Sequence, residues 1–174
     1  MSALPKKKTK IGGQFVAHLR EMRNSLAWWM LTGNDKLVLE AMEDEHLAHA
    51  STQNGKLAVT YDAIAARGAR RQSIAKAIAR VEALGFVECT HRGRAAQAEY
   101  RFPATYRLTY VTGNLDGTHE WRRITSQAHG EARIAAAMQE LEERSRPLRQ
   151  RLQRARVANA PVAEERRKAN ANRQ

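Results

Sequence analysis

The chain has 174 residues, and its 30 Lys plus Arg against 18 Asp plus Glu give a formal charge of +12, which points to a polyanionic partner. No window reaches the ~18 uncharged apolar residues of a membrane span, and "MSALPKKKTKIGG" has no apolar run after its lysines, so the expectation is a soluble, cytoplasmic protein. A single cysteine, Cys89, excludes an intramolecular disulfide framework and fits a reducing compartment.

Apolar residues thin out beyond about Val111. That predicts a flexible basic tail over 1–13, one domain over 14–112, and a basic, partly helical arm over 113–174 with a disordered end. Phe15, Val16, Leu19 and Met22 recur at helical spacing over Gln14 to Arg23, and Leu26, Trp28, Trp29 and Leu31 follow as an apolar knot suited to a core or a dimer surface. A second helix is expected from Asn34 as N-cap, with Leu37, Val38, Ala41, Met42 and Leu47 on one side and acids on the other. After the turn "TQNGK", Leu57 to Val59 reads as a short strand. Thr60 then caps a short helix, Tyr61 to Arg67, that Gly68 can end in the left-handed conformation.

The stretch "ARGARRQSIAKAIARVEALGFVEC", Ala66 to Cys89, carries the functional argument. Ile74, Ala77, Ile78, Val81 and Leu84 form one apolar stripe, closed by Gly85. The opposite face holds Gln72, Lys76, Ala79 and Ala83, flanked by Ser73 and Arg80. Small residues beside hydrogen-bonding ones suit a helix lying in a major groove, with Gln72 and Lys76 as base readers. Arg70 and Arg71 stand at the helix start, where first-turn amides and two guanidiniums can share a phosphate. "FVECTH" and "AEYRF" then alternate as two strands around "RGRAAQ", a turn bearing Arg92 and Arg94. Directly after such a helix, this basic hairpin reads as a wing that reaches the minor groove or the backbone.

This order resembles a winged helix-turn-helix domain of the bacterial GntR-like type, on "RGARRQSIAKAIARVEALGFVE". The resemblance covers Val59 to about Tyr110. It implies a turn glycine at Gly68, DNA contacts at Arg71, Gln72, Ser73 and Lys76, and a helix-to-wing switch at Glu82, Leu84, Gly85 and Phe86. It departs from the pattern at Arg70, where a Ser or Thr cap is usual, and nothing downstream resembles an effector-binding domain, so no small-molecule effector is implied. The span through "THEWRR" is also similar to uncharacterised winged-helix proteins of plasmids, phages and integrative elements of alphaproteobacteria.

Charge is uneven along the chain. Gly33 to Ala50 holds one Lys against five acids, Arg67 to Arg94 seven basic residues against Glu82 and Glu88, and Ser145 to Gln174 nine basic residues against Glu164 and Glu165, which predicts an acidic face, a basic face and a solvated basic arm. Ile134, Met138, Leu141, Leu148, Leu152 and Ala155 follow spacings of four and three, with Ser145 interrupting, a seam that allows a homodimer. Pro147 predicts a helix break near Arg146. Trp121 reads as an anchor for the arm or as a base-stacking residue, and Cys89 as a residue facing the core of the wing sheet. His46 and His49 lack further spaced ligands, so no metal is expected. No phosphate loop, nucleophile elbow or paired acids suggest an enzyme or a cofactor.

The reading is a mainly α fold with a small β-hairpin, a winged helix-turn-helix plus a C-terminal helical basic arm. Its expected partner is double-stranded DNA and its expected role transcriptional control of a mobile element. The alternative is a replication-initiation or recombination-accessory factor.

Overall fold

The computed structural model describes residues 12–93, 103–111 and 117–171. Among these the fold is mainly helical, with one two-stranded antiparallel sheet. The first helix is shorter than its periodicity predicts. α1 is Arg20–Arg23 and α2 is Leu26–Trp29, whereas residues 12–19 run non-helically from Gly13, whose φ is +86°. Phe15 and Leu19 are exposed, so their spacing builds no core stripe. A short helix without a packed face does not recover its nucleation cost; instead His18 reaches Glu43 at 2.6 Å and sets its ring edge-on to Trp28 and Tyr110.

α3, Gly33–Ala48, starts from Thr32 rather than Asn34. The reason is a reciprocal cap: the Thr32 amide donates to Asp35 Oδ2 at 2.7 Å, and the Asp35 amide donates to Thr32 Oγ1 at 3.4 Å. Leu57 to Val59 contributes a single bridge, Leu57 to Tyr106, rather than a full strand. Beside it, the buried Asn54 side chain takes the place of a strand residue, donating to the Leu108 carbonyl at 2.9 Å and accepting from its amide at 2.8 Å. α4, Tyr61–Ala66, is capped by Thr60, and Gly68 follows at φ +97°, both as the sequence indicates.

α5 is Arg71–Ala83, and its stripe Ile74, Ala77, Ile78, Val81 and Leu84 is buried throughout. Gly85, at φ +81°, closes it where a Cβ would meet the Glu120 backbone at 2.6 Å. β1, Val87–His91, pairs with β2, Thr105–Leu108, in a register of Val87 with Leu108 and Cys89 with Tyr106. Val87 is buried and Cys89 half-buried, with Glu88 and Thr90 outward, matching the alternation of "FVECTH". The strand expected at Ala98 to Phe102, and Arg94 in the turn, lie outside the described residues; the strand that pairs with β1 begins at Thr105.

The core does not stop at Val111. Trp121, in a 3-10 turn at Glu120–Arg123, is 2% exposed and Ile124 is buried with it. Glu120 is anchored by Arg107, which also holds Glu88, and Arg122 grips Glu21 with two nitrogens at 3.0 and 2.8 Å. α6, Gln127–Ala171, then runs without interruption through Pro147, where the sequence predicts a break. A proline removes one hydrogen bond and crowds the preceding turn, at about 3 kcal/mol. Here strong helix formers (Glu, Arg, Leu and Gln) flank it on both sides and carry the helix across.

Candidate nucleic-acid interface

α3, α4 and α5 pack together around the buried stripe of α5, and that packing turns the other side of α5 outward. Arg70, Gln72 and Lys76 are exposed there, and their side chains have no partner among the described residues. Ser73 is half-buried, its amide donating to the Arg70 carbonyl at 2.7 Å. Arg70 caps nothing with its side chain, and no side chain among the described residues accepts from the amides of Arg71 and Gln72. Arg71 pairs with Asp62 in the first turn of α4. Both partners are exposed, and such a pair is weak enough to yield to a phosphate.

The second half of the same face is different. Ala79 and Ala83 are each 7% exposed because α6 lies over them. Residues of the two helices meet in antiparallel order. Arg133 and Ala137 come beside Ala83 and Ala79, and Leu141 and Arg144 beside Ile78 and Ala75. The alanines at 75, 79 and 83 recur at a four-residue step and admit a second helix closely; they do not make room for a groove. Gly130 assists at the start of α6, where a Cβ would strike Met30 Sδ at 2.5 Å. The half-buried α6 residues Ile134, Ala137 and Leu141 face the domain, so the first part of the apolar seam is occupied within the chain.

Two other expected readers are also committed. Arg80 turns back to the buried carboxylate of Asp35 at 3.3 Å and to Thr32 Oγ1 at 3.5 Å, bracing α5 against the start of α3. Arg92, at the end of β1, lies 3.4 Å from Glu82 and 3.7 Å from Glu140 of α6. Beyond Arg144, α6 continues with Arg146, Arg149, Arg151, Arg154 and Arg156 in its sequence.

The remaining candidates take structural places. Trp121 is buried, with the Arg122 guanidinium 5.1 Å from its ring centre, so it anchors the segment that leads to α6. Cys89 lines a cavity of about 170 Å³ between α5, β1 and α6; burial foremost, with the Glu82 carboxylate, raises its thiol pKa. His46 is buried, and burial depresses its protonation; His49 pairs with Glu45 at 3.2 Å. No cluster of three metal-ligating side chains occurs among the described residues. On the acidic side, Glu43 takes His18 and the Tyr110 hydroxyl, whose ionisation burial pushes well upward. Trp28 packs edge-on to Phe86, whereas Trp29 is 69% exposed and is no core anchor.

Neither the α6 contact nor the Asp35 to Arg80 brace is evident from the sequence alone. The alanine step at 75, 79 and 83 is the available signal for the first; nothing local marks the second. No protein-family model, curated protein or solved structure matches the chain. No helix among the described residues is long and apolar enough to cross a membrane.

Proposed function

We propose that the chain is a cytoplasmic, sequence-specific duplex-DNA-binding protein of winged helix-turn-helix type that regulates transcription of a mobile element, a binder and not an enzyme. The observation that carries this reading is the uncovered start of α5, where Arg70, Gln72 and Lys76 face solvent without partners among the described residues. The element order supports it: a helix, the Leu57 bridge, a short helix, a glycine turn, α5 and a hairpin whose second strand receives that bridge. In this reading the first two turns of α5 enter the major groove. Arg70 and the amides of Arg71 and Gln72 hold a phosphate, Gln72 and Lys76 read base edges with their side chains, and the Arg71 guanidinium exchanges Asp62 for the backbone.

The test is a binding selection on random duplex followed by Gln72→Ala and Lys76→Ala. Each substitution is expected to relax preference at one base pair by about 1 to 3 kcal/mol, and Arg70→Ala to lower the salt slope by about 0.9 without changing the selected site. An unchanged site in both Gln72→Ala and Lys76→Ala removes α5 as the reading element. A replication-initiation or recombination-accessory role would use the same face, and footprinting across the element's own promoters and origin separates the two.

A further inference from the structure

Beside α1 and α2 lies an open cleft of about 690 Å³ lined by Arg20, Arg23, Asn24, Trp28, Trp29 and Lys36. We propose that it binds a single-stranded nucleic acid, with the Trp29 indole stacking on an unpaired base and Arg20, Arg23 and Lys36 taking the flanking phosphates.

Three observations converge on that ligand. Arg20, Arg23 and Lys36 have no carboxylate partner among the described residues, unlike Arg67, Arg71, Arg80, Arg92 and Arg107, each of which does. Trp29 presents its ring to solvent at 69% exposure, although the adjacent Trp28 packs against Phe86. The Lys36 ammonium stands 5.5 Å from the Trp28 ring centre, so the cleft joins cations to aromatic surface. The acids in the adjoining depression are Glu40 and Glu43, and Glu43 is already engaged by His18 and Tyr110.

This combination selects a strand with exposed bases. A duplex offers phosphates to the cations but hides its base faces inside the stack, leaving the indole without a role. An unpaired strand offers both, and an aromatic ring stacks on any base. The cleft is also separate from the proposed duplex face. Asp35, the neighbour of Lys36, holds Arg80 near the C-terminal end of α5, whereas Arg70 and Lys76 lie toward its start. The inference therefore does not rest on the duplex reading, and each can fail alone.

The experiment uses the full chain and two labelled oligomers of about 20 nucleotides, oligo-dT and an abasic strand of equal charge, long enough to cover one single-strand site, followed by anisotropy at two salt concentrations. Wild type is expected to favour oligo-dT. Trp29→Ala should weaken that binding roughly 5- to 100-fold and Trp29→Phe should restore most of it, as removal and recovery of one stacked base predict. Arg20→Ala with Arg23→Ala should lower the single-strand salt slope by about 0.7 for each phosphate no longer neutralised. Binding of Trp29→Ala to the selected duplex should stay at the wild-type value, and its circular dichroism should not change, because the side chain supports no core. Equal binding of both oligomers, or an unaltered oligo-dT affinity in Trp29→Ala, overturns the proposal. So does a Trp29-dependent affinity for a glutamate-rich peptide without one for oligo-dT, which would assign the cleft to an acidic protein segment.

Discussion

From Arg70 to Lys76 the outward side chains of α5 stand in solvent, whereas from Ala79 to Ala83 the same face is covered by α6 and its arginine, Arg80, is held by buried Asp35. One helix thus carries a free half and a committed half. The sign of a charge does not distinguish them, since Arg70 and Arg80 are both guanidiniums on the same element. Partnership distinguishes them. A cation already facing a buried carboxylate must abandon it to reach a phosphate and leave that carboxylate unpaired, whereas a solvated cation abandons no partner and displaces counterions condensed on the duplex, whose release is entropically favourable.

The largest effect should come from loosening what holds the committed half. Trp121 is 2% exposed and its turn is wedged against Gly85 at the end of α5. Trp121→Ala is expected to cost about 3 to 5 kcal/mol, as for other large aromatic truncations in a core, and a urea titration measures it. Duplex affinity of the folded fraction should hardly change, because the free half of α5 lies at its other end. A cost below about 1 kcal/mol, well short of a core truncation, would mean that the chain beyond Val111 is a loosely attached arm, and the contrast between the two halves of α5 would have no cause.

A smaller effect concerns the basic half of α6. Deleting Ser145 to Gln174 removes nine basic residues but keeps Ile134 to Arg144, which lie along α5. The truncated chain should stay folded and keep its selected site, while affinity at low salt falls on the order of ten-fold and the deficit shrinks as salt rises. Competing against this gain, the full-length arm orders flexible side chains on the duplex, which costs conformational entropy and limits its contribution. If the truncated protein melts, or only its site preference disappears, the segment past Ser145 is a packed or dimer-forming element instead of an extension of the basic surface.

Where the sequence is legible, the information is local. The stripe from Ile74 to Leu84 fixes which side of α5 is buried, Thr60 and Gly68 bound α4, and the alternation of Val87 to Thr90 marks β1, because each depends on neighbours within one turn or pleat. What escapes it is set by distant partners. The cap of α3 falls on Thr32 because Asp35 can reach back to it, and Asp35 in turn captures Arg80 across a separation of 45 residues. Ala79 and Ala83 invite a reading as room for a ligand, yet small side chains are equally what a second helix needs, and α6 supplies it. The candidate site is accordingly half legible: Arg70, Gln72 and Lys76 keep the exposure their angles imply, whereas the availability of Arg80 and Arg92 depends on carboxylates that periodicity does not reveal.

The smallest expected effect falls on Arg92, which lies between the two cases. Its partners Glu82 and Glu140 are at 3.4 and 3.7 Å, and both Arg92 and Glu140 remain more than half exposed, so the attraction between them is modest and screened. Glu140 also approaches Arg144 at 3.9 Å. Replacing it with glutamine releases both guanidiniums from a charge while keeping size and helix propensity. Glu140→Gln should therefore raise duplex affinity at low salt about two- to five-fold, steepen the salt dependence, and leave the unfolding midpoint nearly unchanged, as exposed pairs worth ~0.2 to 1 kcal/mol imply. The double substitution with Arg92→Ala separates the two arginines: if Arg92 makes the new contact the gain disappears, and if Arg144 makes it the gain persists. No gain in Glu140→Gln would place Arg92 with Arg80 among the committed cations, because Glu82 alone would then suffice to hold it, and the free surface would contract to the first two turns of α5.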